Sequence, residues 1–442
     1  MVARAGPLSE PRAAPDAGSR RGGAPERRRR RPGALPPPRG ACYTVTRMVA
    51  LRERLRPLAP YLVALVWLAA GYANLVRGAA HPGVPYRPWS FENHSYSDLL
   101  AMGGDRYFHG GRPIPYLEDR IEYPPLLGFA VWAASFAPGG PAGYFTAGYL
   151  LLALSCLAAI RLLRALPGAD PWWYAATPAL AYYTGLNWDQ LPIALLLLAL
   201  AAHLRGRHAG AGAAAALGVS TKLFPVVLLP PAIAALAGAR RWRPLAASAG
   251  AFAAVFLAVN LPVALAAPAS WAWFWRYNAG RGAENSLWEA ARLWPSLRPL
   301  AFDASLLNLL TGALLALAAA FAAWGAAAAP EGRRSRAVRL GVALLLVAWV
   351  TTNKVWSPQY FLYAFAAAAL AAAPFRLFWP MSLLAAVDYH VAFEVRSTRG
   401  IIRTLDAAYA GEELVRTLLF LLLLGWLARA LWRVARRAEP AA

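Results

Sequence analysis

The stretch "YPPLLGFAVWAASFAPGG", residues 123–140, is apolar enough to enter a membrane yet short for a helix that crosses one. Pro124 and Pro125 open it, and Pro138, Gly139 and Gly140 close it. A crossing takes about 20 apolar residues to cover roughly 30 Å of hydrocarbon. Counted as a crossing, this segment inverts every later loop and splits the arginine clusters from those before it. Read as an interfacial or re-entrant helix, it leaves all of them on one side.

The rest of the chain supports a membrane setting. Of 442 residues, 59% are hydrophobic and 15% charged, where about a quarter is charged in an average soluble protein. Long apolar windows recur at Tyr61–Val76, Ala142–Leu163, Leu245–Ala267, Leu300–Ala328 and Leu414–Leu431. Apolar segments keep coming after the first, which argues against a secretory signal. Cys42 and Cys156 show neither CxxC nor zinc-like spacing, so no disulfide framework or metal site is expected. The net charge of +23 comes from short basic clusters beside apolar runs; that pattern marks topology rather than nucleic-acid binding. Residues 1–47, with "PERRRRRPGALPPPRG", cannot bury a core and read as a disordered tail. Met48, just ahead of the first apolar run, would serve as an alternative start, leaving 48–442 as the membrane domain.

Arg52, Arg54 and Arg56 precede the first apolar run. Later clusters are Arg161/Arg164, Arg205/Arg207, Arg240/Arg241/Arg243, Arg333/Arg334/Arg336/Arg339, Arg376 and Arg433/Arg436/Arg437. Placing them all in the cytoplasm gives an all-α, polytopic plasma-membrane protein with about twelve crossings and both termini inside. The first outer loop with its interfacial helix then spans residues 78–140. Six of the 22 acidic residues fall in it: Glu92, Asp98, Asp105, Glu118, Asp119 and Glu122. Polar outer segments also include "YYTGLNWDQ" (Tyr182–Gln190), "RYNAGRGAENSLWEAARLW" (Arg276–Trp294) and "TTNKVWSPQY" (Thr351–Tyr360).

Only two of the 45 basic residues are lysines, Lys222 in "VSTKLFPV" and Lys354 in "TTNKVWSP". Both fall where apolar helices reach the outer half of the membrane. An ammonium there is costly, so each is either a phosphate ligand or a lysine that snorkels to the interface. Acids above such lysines suit sugar transfer from a lipid phosphate. A carboxylate takes the acceptor's proton, cations hold the phosphate, and an amphipathic groove admits the lipid. The leaving phosphate is already a stable anion, so neither metal nor cofactor is expected. Trp271, Trp273, Trp275, Trp288 and Trp294 would stack sugars or form an interfacial belt.

Five segments in order carry a resemblance: "YSDL" (Tyr96–Leu99), "EYPPL" (Glu122–Leu126), "NWDQLPIALLLLAL" (Asn187–Leu200), "AGAGAAAALGVSTKLFPVVLL" (Ala209–Leu229) and "NKVWSPQY" (Asn353–Tyr360). The chain resembles glycosyltransferase family 87, over most of its length from about Arg56 to Trp432. The resemblance implies a GT-C fold whose helical first outer loop covers the site. It further implies transfer of a sugar, with mannose expected, from a polyprenyl-phosphate donor to a cell-envelope glycolipid or glycan, metal-free and inverting. Asp98 matches the family's catalytic aspartate, the general base, with a structural cap or ion pair as its other reading. Relatives often carry a tyrosine soon after that aspartate; here "DLLAMGGD" continues instead to Asp105, a rival base. Lys222 and Lys354 match the lysine-bearing segments. Glu122, Tyr123, Asn187, Asp189, Asn353, Gln359 and Tyr360 complete the expected substrate-binding set, although Asn187 and Asp189 also suit a helix N-cap. His94, His109 and His390 read as satisfied polar residues. The rival function is a transporter or lipid flippase, against which stand the lack of an internal repeat and polar groups crowded at one face.

Overall fold

Prolines open many of the helices of this chain. The computed structural model describes residues 56–83, 86–108, 111–291, 294–397 and 406–436, and those from Pro57 onward form one unit. Among the described residues there is no strand beyond two isolated bridges, Pro115 with Asp119 and Glu284 with Val355. The expected tail at 1–47 and the start at Met48 lie outside the described residues.

The first helix, Ala59–Leu75, has Pro60 in its opening turn, where a missing N–H costs nothing. A 3-10 turn continues it to Ala80. The outer loop then carries short helices at Tyr86–Glu92 and Asp98–Tyr107. Within residues 123–140 the helix is Pro125–Ala134, ten residues long. At 1.5 Å per residue that is about 15 Å, half a bilayer core. Pro124 is held extended ahead of it, and Gly139 (φ +98) and Gly140 (φ +62) make a turn disfavoured for residues with a Cβ before the next helix, Gly140–Arg164.

Six helices among the described residues are long and apolar enough to cross a bilayer: Ala59–Ala80, Gly140–Arg164, Trp242–Ala266, Ala304–Ala328, Glu331–Thr352 and Ala410–Arg436. About twelve crossings were expected. The difference lies partly in apolar segments broken into shorter helices, among them Gln190–Leu204, His208–Val219 and Phe224–Gly238. The expected run Leu300–Ala328 is likewise cut at Asp303, whose Oδ1 accepts the Leu306 N–H at 2.9 Å as an N-cap. The helices nonetheless mark a multi-pass membrane protein. Trp242–Ala266 and Ala304–Ala328 leave Leu257, Leu261, Leu265, Leu309 and Leu317 exposed, faces that lipid would cover.

The buried core joins Gln190–Leu204, Glu331–Thr352 and Phe361–Ala371, where runs of alanine let the backbones approach. A second cluster, including Leu99, Tyr116, Leu127, Tyr144 and Trp188, seats the outer loop on the Gly140–Arg164 helix. There the fit is tight: a Cβ on Gly103 would stand 2.2 Å from Tyr144 Cε1.

Candidate active site

Four chain segments meet where the outer loop rests on the helix ends. Ser97 is extended and its hydroxyl accepts the Leu99 N–H, so Ser97 is the N-cap of Asp98–Tyr107. The Asp98 carboxylate is thus spared the capping role. The Asp98 N–H donates to Leu186 O at 2.8 Å, tying the loop to the turn before "NWDQ". Lys222 lies in the break between His208–Val219 and the 3-10 turn Phe224–Leu228, a gap opened ahead of Pro225.

One hydrogen-bonded cluster results. Asp98 Oδ1 accepts from the Tyr96 hydroxyl at 2.8 Å, and Oδ2 accepts from Asn187 Nδ2. Asn187 Nδ2 also donates to the Tyr123 hydroxyl at 3.0 Å. Lys222 Nζ donates to Asn187 Oδ1 at 2.9 Å and to Asp189 Oδ2 at 2.8 Å, and lies 5.4 Å from the centre of the Tyr123 ring. Asp189 is fully buried and also accepts from the Tyr363 hydroxyl. Burial raises the Asp98 carboxyl above its ordinary range, and Glu122 adds to this. The Tyr96 and Asn187 hydrogen bonds and the Lys222 charge oppose the rise without cancelling it.

Asp98, Tyr123, Asn187, Asp189 and Lys222 are therefore brought together. Tyr360 borders them, its ring stacked on Tyr363 with centroids 5.1 Å apart. Of the other expected residues, Glu122, Lys354 and Asn353 are held by partners of their own. Glu122 is held by Arg106 at 3.2 Å, and Arg106 also binds Asp119 at 2.6 Å, an anchor within the loop. Lys354 Nζ donates to Ala279 O at 3.0 Å, in the last turn of Trp273–Gly280, as a cation at a helix C-terminus does. Burial and the nearby Arg281 charge lower its pKa. Asn353 Oδ1 accepts the Val355 N–H at 3.1 Å. Gln359 is buried in the turn Pro358–Tyr360. Asp105 lies two turns along from Asp98 in the same helix, about 10 Å along its axis; its side chain is outside the described residues, as is His109. The N-cap reading of Asp189 is corrected: its side chain makes no cap bond, because both oxygens are taken by Lys222 and Tyr363.

Tyr96, Tyr363 and Arg106 were not expected in these roles. Tyr96 stands in the quoted "YSDL", but Tyr363 sits in "FLYAFAAAAL", which reads as core. His94 and His390 approach at 2.7 Å between Nδ1 atoms, and His94 Nε2 lies 3.0 Å from Glu394. Among the described residues no group of three or more His, Cys, Asp or Glu could hold a metal ion. A small open cleft is lined by Pro124, Pro125, Phe256, Trp271, Phe274 and Trp275 among others. Trp288 donates its indole N–H to Thr352 O at 2.8 Å, and Arg120 lies 5.7 Å from the centre of the Trp273 ring.

The site and the arginine clusters occupy opposite ends of the same helices. Gln190–Leu204 starts beside Asp189 and ends before Arg205 and Arg207. Glu331–Thr352 starts with Arg333, Arg334, Arg336 and Arg339 and ends at the Lys354 turn.

A family model described as Glycosyltransferase family 87 matches residues 122–358, more than half of the chain. Asn187, Asp189, Lys222 and Lys354 fall within that segment and Asp98 precedes it. No curated protein matches. Among solved structures, the chain is similar to ArnT from Cupriavidus metallidurans bound to undecaprenyl phosphate: identity is 16%, coverage 85% of this chain and 77% of that one, and the TM-score 0.41. For the apo state of ArnT from the same organism the values are 14%, 89%, 78% and 0.40.

Proposed function

The chain belongs to glycosyltransferase family 87, and on that premise we propose that it transfers a sugar from a polyprenyl-phosphate donor to a cell-envelope glycolipid or glycan, with mannose as the sugar. The observation that carries this is a half-buried carboxylate, Asp98, and an ammonium, Lys222, bridged by the single side chain of Asn187. Asp98 accepts the proton of the acceptor hydroxyl as its oxygen attacks the anomeric carbon. The bond from that carbon to the phosphate oxygen breaks on the opposite face, its electron pair leaves with the polyprenyl phosphate, and the configuration inverts. Such a leaving group requires no metal. Because the arginine ends of the helices suit the cytoplasm, the site faces outward and both termini lie inside.

Charge distributes the two substrates. Two carboxylates, Asp98 and Asp189, share the one ammonium of Lys222 in this cluster, an arrangement that suits a neutral acceptor hydroxyl better than a phosphate. Lys222 has already given two of its three hydrogens to Asn187 and Asp189. Tyr360, stacked on Tyr363, leads away from Asp189 toward Arg281 and Lys354. On this reading the donor phosphate binds toward Lys354 and Arg281, where it competes with Glu284, the ion-pair partner of Arg281.

The test is incubation of membranes containing the full chain, or Asp98→Asn, with radiolabelled polyprenyl-phosphate mannose and polyprenyl-phosphate arabinofuranose. Label should enter lipid or glycan products with the parent protein and fall at least about 100-fold with Asp98→Asn. Equal incorporation by folded Asp98→Asn removes the carboxylate from the mechanism, and no incorporation from either donor by the parent refutes the donor assignment.

A further inference from the structure

Asn187 has no hydrogen-bonding capacity left for a substrate. Its two amide hydrogens go to Asp98 Oδ2 and the Tyr123 hydroxyl, and its oxygen accepts from Lys222 Nζ at 2.9 Å and the Trp188 N–H at 2.6 Å. That is two donors and two acceptor sites, all used. The amide can face only one way. Turned over, its NH2 would meet an ammonium and a backbone N–H, and its oxygen would meet a carboxylate. Lys222 is itself fixed by the fully buried Asp189, which Tyr363 holds from the other side.

We infer that Asn187 is a positioning residue for Asp98: anchored by Lys222 and Trp188, it turns its amide nitrogen onto one carboxylate oxygen and relays the fixed geometry of the Lys222–Asp189 pair to the base. This rests on the reading of Asp98 as the proton acceptor, and it replaces the substrate-binding role expected for Asn187. Asp98 keeps its Oδ1 side, held by Tyr96, as the remaining approach for an acceptor hydroxyl. The groups that face Asp98 are Tyr96 and Tyr86 from its own loop, Tyr123 and Glu122 (paired with Arg106) from the loop's end, and Asn187 and Lys222 from below. Of these, Asn187 joins the carboxylate to the cation.

The test is the pH profile of kcat/KM for Asn187→Asp and Asn187→Ser in membranes, using the labelled donor that the parent protein transfers, with Asp98→Asn alongside. Asn187→Asp keeps the shape and still meets Lys222 and Trp188 with an oxygen, but it sets a second carboxyl against Asp98. The acid limb should move to higher pH by at least about one unit, with the donor KM within about two-fold of the parent. Asn187→Ser removes the amide donor without adding charge, so its limb should move the same way by less; it also covers the case in which Asn187→Asp does not fold. An unmoved limb in the folded variants, or a raised donor KM with an unmoved limb, overturns the positioning role. If Asp98→Asn turns over like the parent, the base assignment falls with it; if Asp98→Asn is dead and the limb is unmoved, only the role of Asn187 falls.

Discussion

The Asp189–Lys222 pair offers a quantitative check on how the site is held. Asp189 has no exposed surface, and the side chain of Lys222 is 14% exposed, with nitrogen and oxygen 2.8 Å apart. Removing one member of a buried pair costs about 3–5 kcal/mol, because the other charge is left uncompensated. The small exposure of Lys222 lets water soften the loss on its side. Asp189→Ala should therefore cost about 3 kcal/mol, to which the orphaned Tyr363 hydroxyl adds about 1 kcal/mol. Lys222→Met strands a carboxylate that has no access to water and should cost at least as much, about 4 kcal/mol. The double variant strands no charge, so its cost should fall short of the sum by at least about 2 kcal/mol. Unfolding in mixed detergent micelles, followed by tryptophan fluorescence, measures all four proteins. Additivity within about 0.5 kcal/mol would show that the two groups do not sense each other, and the chain of contacts from Asp189 to Asp98 would lose its first link.

Three further outcomes follow from single contacts. Since burial raises the Asp98 carboxyl from its reference of 3.8, activity should be present above that raised pKa and lost as pH falls through it. The acid limb of kcat/KM should then lie above the usual carboxylate range, and a limb at or below 3.8 would contradict the burial argument. Lys354→Met removes the cation that donates to Ala279 O. It should destabilise the end of Trp273–Gly280 by about 0.3–1 kcal/mol, seen as faster amide exchange there; unchanged exchange would remove the capping role. Gly103→Ala drives a methyl into the Tyr144 ring and should cost about 1–3 kcal/mol by overpacking, read by the same unfolding assay, whereas a neutral result would mean that the ring yields freely.

Much of the architecture was readable because membrane insertion writes itself in composition. The arginine clusters and apolar windows located the helices, and the prolines at 124 and 125 gave a segment too short to cross. The count of crossings was less readable. A run of alanine, leucine and proline does not say whether a break such as the one at Lys222 divides one crossing into two short helices or ends it. Lys222 could be picked out as a charge where charge is costly, and Asp98 by the resemblance that "YSDL" carries. Their linkage through Asn187 could not, because hydrogen-bond partners 89 and 35 residues apart leave no periodic trace.

The two lysines show where this kind of inference stops. In sequence they are alike: solitary ammonium groups at an outer helix end, each just ahead of a proline. In the fold one is locked between an amide and a buried carboxylate, and the other reaches the carbonyl of a helix end. What separates them is the charge that arrives from another segment. Asp189 meets Lys222 from the start of Gln190–Leu204, whereas Lys354 stands near a second cation, Arg281. The same reasoning covers Arg416, which binds Asp388 and Glu412 in the interior. Arg416 meets Glu412 one turn back on its own helix, but Asp388, 28 residues away in a separate apolar helix, is not accounted for until the helices pack. Burial makes such a pair worth keeping only if both partners are present. A lone charge in an apolar run is therefore evidence that a partner exists, and the fold alone says which residue it is.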